Sequence, residues 1–112
     1  MRKIVEKNQV KELDNYSVKV QDNISKIIDI LDSEYGKERD KELDLGGYVL
    51  IVENIVDIEI LKQDKLQGIL PEYTDEIICS EGVNYTSSLF LLSSDFSVVV
   101  IANEEFSKLL LE

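Results

Sequence analysis

Asp40, Glu42 and Asp44, in the stretch DKELDLGG, stand at the first, third and fifth positions of a possible cation loop. That spacing opens an EF-hand, which also needs glycine at the sixth position and a bidentate acid at the twelfth. Leu45 and Ile51 occupy those places, so the run reads as solvated charge. Asp29 and Asp32 lie three residues apart on one polar helix face. Paired carboxylates act as general acid and base only in a cleft that raises one pKa, and an open helix face does not do that. Cys79 is the single cysteine, and its neighbours Ile78, Ser80 and Glu81 include no cation to stabilise a thiolate. It reads as a small buried hydrophobe. Histidine is absent, which excludes Ser-His-Asp and Cys-His nucleophile systems and histidine zinc sites. The sequence therefore predicts no catalytic residue, no metal ligand set and no cofactor. A carboxylate-only, metal-dependent hydrolase is the one enzyme class left open.

Other motifs also reduce to ordinary structure. Gly46-Gly47 precedes an apolar run, whereas a phosphate loop needs strand, glycines and then a helix N-terminus. Tyr48, Tyr73, Tyr85, Phe90 and Phe96 could form a base-stacking sheet, but such platforms come with a basic groove. Twelve basic against 23 acidic residues give a net charge of −11, and after Gly46 only Lys62, Lys65 and Lys108 are basic. A field of this sign repels nucleic acid and attracts basic proteins. The bland account is that the charge keeps a small protein soluble.

The elements that would position any site follow from periodicity. Ile24, Ile27, Ile28 and Leu31 form a helical stripe, with Asp22 or Asn23 as N-cap and Gly36 as C-terminal cap. Tyr16, Val18 and Val20 alternate with polar residues and predict a short strand. YVLIV, Tyr48 to Val52, predicts a buried strand. A second helix follows, with Asn54 as N-cap, Asp57 at its third position, and Ile55, Ile58 and Leu61 inward. After Pro71, Thr74 to Cys79 predicts a strand with a turn at Glu81-Gly82. Leu89 to Leu92 and Val98 to Ala102 then form a hairpin around Ser94-Asp95. Asn103 caps a last helix with Phe106, Leu109 and Leu110 inward. The result is one α+β domain over residues 1–112, a four- or five-stranded, mainly antiparallel sheet packed with about three helices. Residues 1–15 are expected to be a mobile or loosely helical N-terminal segment.

No stretch reaches the length needed to span a bilayer, and no apolar core follows the basic N-terminus as in a signal peptide. With one cysteine, the expected compartment is the cytoplasm. The two apolar strands of the final hairpin barely alternate, which implies cover on both sheet faces, by the helices or by a partner. The expected function is that of a small acidic, non-enzymatic protein–protein interaction domain that binds a basic protein, and neither nucleic acid nor membrane. An immunity protein and a phage-type inhibitor are two versions of it, matched on size and acidity. Glu81, Asp95, Glu104 and Glu105, acids near the expected loop tips, are the candidate partner-binding residues. The alternative is a self-associating structural module, a homodimer through the Phe90/Val98 sheet face.

Overall fold

Five strands make one mixed sheet in this computed structural model, which describes residues 1–35, 47–63, 66–80, 82–92 and 97–111, with side chains through 1–33, 47–63, 82–88 and 98–110. The elements run β1 (Arg2–Ile4), a 3₁₀ helix (Lys7–Glu12), α1 (Val18–Tyr35), β2 (Tyr48–Ile51) and α2 (Ile55–Gln63). Then come β3 (Leu66–Ser80), β4 (Val83–Leu92), β5 (Ser97–Asn103) and α3 (Glu104–Leu111). The strand order is β1-β2-β5-β4-β3, and only β2 and β5 run parallel, with Tyr48 opposite Val98 and Ile51 opposite Ile101. The α+β expectation holds, with β4 and β5 as the antiparallel hairpin.

The helices cover both faces of β2 and β5. Side chains alternate along a strand, and here both sets are apolar. Val49, Ile51 and Ile101 pack beneath α1 with Val20, Ile24, Ile28 and Leu31. Leu50, Val52, Val98, Val100 and Ala102 pack beneath α2 and α3 with Ile58, Leu61 and Leu110. The continuous apolar runs of β2 and β5 are thus covered within the chain, while the side chains of Leu89 to Leu92 lie outside the described residues. Val98 in particular is fully buried.

Five local expectations change. The alternation at Tyr16, Val18 and Val20 belongs to no strand, because α1 begins at Val18. Ser17 Oγ accepts the Val20 N–H at 3.2 Å, so the N-cap is Ser17, upstream of Asp22 and Asn23. Val20 then extends the buried stripe by one turn, while Val18 is 70% exposed. Residues 1–15, expected to be mobile or loosely helical, hold the short 3₁₀ helix and also a strand: β1 pairs antiparallel with β2, and Val10 and Leu13 join the α1 core. The third strand is longer than Thr74 to Cys79, because β3 runs from Leu66 through Pro71 to Ser80. β3 is an edge strand whose register skips between Leu70 and Asp75. Proline, lacking an N–H, is tolerated at such a bulged edge. Ile55, expected inward, is 51% exposed, since it opens α2 ahead of the turn that Ile58 and Leu61 anchor.

Candidate functional site

β2 and β5 end side by side, and each is followed at once by a helix on the same face of the sheet. Val52 N–H extends the pairing to the Ile101 carbonyl at 2.9 Å. Asn54 Oδ1 then accepts the Asp57 N–H at 3.2 Å, and Asp57 Oδ2 accepts the N–H groups of Glu53 and Asn54 at 2.8 and 3.2 Å. This reciprocal box starts α2. At the neighbouring strand end, Asn103 Oδ1 accepts the Phe106 N–H at 2.9 Å and starts α3. LIVEN and VVIAN are therefore two copies of one strand–Asn–helix unit. Because their strands are parallel, both helices begin at the same end of the molecule.

That end carries a pocket of about 240 Å³ lined by Asn15, Tyr16, Val52, Glu53, Tyr85, Asn103 and Phe106. In open parallel arrangements this crevice, outside the carboxyl ends of the strands, is where ligands bind. Tyr85 lies opposite Asn103 across the β4/β5 ladder. Tyr16, in the turn ahead of α1, meets it edge-on, with ring centroids 5.8 Å apart and planes at 61°. Gln21 Nε2 fixes that turn by donating to the carbonyls of Leu13 and Tyr16 at 2.8 and 2.9 Å.

Charges at the pocket edge are paired. The Met1 ammonium lies 3.3 Å from Glu53 Oε1 and 3.1 Å from Asp57 Oδ2, and Arg2 Nε lies 3.4 Å from Glu53 Oε2. Burial by itself would raise the Asp57 pKa, but the N–H donors of Glu53 and Asn54 and the Met1 ammonium hold it below the usual carboxylate range. The Met1 ammonium shows the reverse. Burial would lower its pKa, but Asp57 and Glu53 raise it above the ordinary value. Tyr16 is pushed up, first by burial and then by the Glu53 charge, so its phenol stays a donor at neutral pH.

The acids singled out from sequence divide into two groups. Glu104 and Glu105 are exposed in the first turn of α3 and line a second groove of about 410 Å³ with Lys108 and Leu109. Glu104 also accepts from Asn84 Nδ2 at 3.2 Å and pairs with Lys108 at 3.6 Å. Glu81 and Asp95 lie outside the described residues, as do Asp40, Glu42 and Asp44. Asp29 is exposed and paired with Lys7 at 3.2 Å. Among the described residues no group of three or more His, Cys, Asp or Glu could hold a metal ion, and no helix is long and apolar enough to cross a membrane. The pocket itself was missed from sequence, although the repeated strand–Asn–helix pattern is visible there. No family model, curated protein or solved structure matches the chain.

Proposed function

We propose that the chain is a non-enzymatic interaction domain that docks a basic protein on its α2/α3 layer. One observation carries the reading. Ile55, Val56 and Ile60 are 51%, 55% and 43% exposed on α2, beside α3 with its exposed Glu104 and Glu105. Apolar residues within a charged rim are the composition of a protein interface. The net charge of −11 selects a basic partner and would speed its association at low salt. An immunity-type or inhibitor-type role is the biological form this chemistry suits. A cytoplasmic setting fits a chain with one cysteine.

The test pairs capture from host lysate with two variants, Glu104→Lys/Glu105→Lys and Ile55→Ser/Ile60→Ser. The expected result is one basic protein held at about 0.05 M salt and released near 1 M, where screening is several-fold stronger, and lost with either variant. Capture indifferent to salt and to both variants would overturn the reading. The exposed α2 face also suits self-association. A dimeric solution mass that Ile55→Ser/Ile60→Ser converts to monomer would assign that face to a second copy of the chain.

A further inference from the structure

We infer that the pocket at the ends of β2 and β5 is a socket for a guanidinium group, the side chain of an arginine on the docking partner. The inference rests on the proposed reading for the arginine's source, but the pocket chemistry stands on its own geometry. Tyr16 and Tyr85 meet edge-on at 61°, and Phe106 lines the same pocket. Aromatic faces attract cations, and a planar guanidinium can also stack on them. Asn15, Asn103 and Glu53 line the same pocket, with Asn103 Oδ1 already accepting the Phe106 N–H. Glu53 uses one contact on each oxygen, to Met1 and to Arg2, and a carboxylate has about four acceptor positions. Arg2 Nε, 3.4 Å from Oε2, shows that this carboxylate already accepts a guanidinium of the chain's own β1. A volume of about 240 Å³ holds one long side chain and is too small for a folded element. An anionic occupant is disfavoured by the acidic balance of the chain.

The probe is N-acetyl-arginine amide, titrated into ¹⁵N-labelled protein, with N-acetyl-citrulline amide as neutral isostere and N-acetyl-lysine amide as the other cation. Saturable shifts confined to Asn15, Tyr16, Glu53, Tyr85, Asn103 and Phe106 are expected, with a Kd in the millimolar range that a single side chain sustains. Citrulline amide should bind at least about tenfold more weakly, as should arginine amide to Tyr85→Leu or Glu53→Gln. The Tyr85 variant carries the test if loss of the Glu53 pairs disturbs folding. Shifts spread over the acidic surface, equal response to citrulline, or equal response to lysine would each overturn the assignment. The two failures separate cleanly. A silent pocket in a protein that still captures its partner through Glu104 and Glu105 removes the socket alone. Selective arginine binding with no charge-dependent partner removes the wider reading alone.

Discussion

The two faces of the sheet are covered in different ways. One face carries a single 18-residue helix, α1, whose Val20, Ile24, Ile28 and Leu31 are all buried, backed by Ile4, Val10 and Leu13 from the N-terminal segment. The other carries two helices of nine and eight residues, α2 and α3, which bury Ile58, Leu61 and Leu110 but leave Ile55, Val56 and Ile60 in water within six residues of one another, whereas the exposed Val18 and Ile30 of α1 stand about 18 Å apart along its axis. Short helices get most of their stability from packing and caps, since propensity alone is marginal at this length. The α1 face therefore reads as the stabilising layer. The α2/α3 face, with its exposed apolar cluster, is the one proposed for docking. If that division is right, substitutions on the two faces should separate stability from binding.

The largest stability effect belongs to the α1 layer. Ile28 is fully buried between α1 and the sheet, and Ile28→Ala should destabilise by about 3 kcal/mol through lost transfer energy and the cavity left behind. A fall in urea midpoint with unchanged slope would measure it. A loss below about 1 kcal/mol would mean that this layer repacks freely, and the contrast between faces would collapse.

Asp57 comes next and belongs to the other layer. Its side chain is nearly buried and accepts two backbone N–H groups as well as the Met1 ammonium. Asp57→Ala leaves those donors without an acceptor and should cost about 2 kcal/mol. The sign of the pH effect follows from the two shifts. The folded Asp57 pKa is lowered, so its contribution is present above the usual carboxylate range and fades as pH falls below about 4. The Met1 pKa is raised, so its contribution is full below the ordinary amine value near 8 and fades as pH climbs through the folded value. Chemical unfolding across pH should show a plateau between these limits, and Asp57→Asn should flatten both shoulders. Unaltered shoulders in that variant would show that the pairs do not form in solution.

How much of this was legible from sequence depends on the range of the forces involved. The Ile24–Leu31 stripe and the caps at Asn54 and Asn103 are local, and each is where the residue pattern placed it. β1 is only three residues long and exists because Ile4 and Arg2 find Val49 and Ile51 across a gap in sequence. Nothing in RKI itself announces a strand. At residues 16–20 two periods competed over too short a window. Ser17 decided it by capping a helix whose buried stripe continues from Val20. The pocket gathers residues 15–16, 52–53, 85, 103 and 106. The strand–Asn–helix repeat could have indicated that two helix starts exist, but only the parallel pairing of β2 and β5 makes them neighbours.

Those two caps give a middle-sized test within the α2/α3 layer. Asn54→Ala and Asn103→Ala each remove one capping acceptor and should each cost about 1 kcal/mol. Only Asn103 lines the pocket. Matched losses in midpoint with weaker arginine-amide binding in Asn103→Ala alone would separate cap from site. Equal binding in both would remove Asn103 from the pocket's working groups.

The smallest stability effect should accompany the largest loss of binding. Ile55→Ser/Ile60→Ser replaces side chains that are half in water, and each change should move stability by no more than about 0.5 kcal/mol. An interface draws most of its energy from a few central apolar anchors, so the same pair should abolish partner capture. Thermal unfolding and capture measured on one preparation decide the matter. Lost capture with an unchanged midpoint establishes the α2 face as a surface kept for binding. A midpoint that drops as far as in Ile28→Ala would instead place Ile55 and Ile60 in the core, and the two faces of the sheet would then be doing the same job.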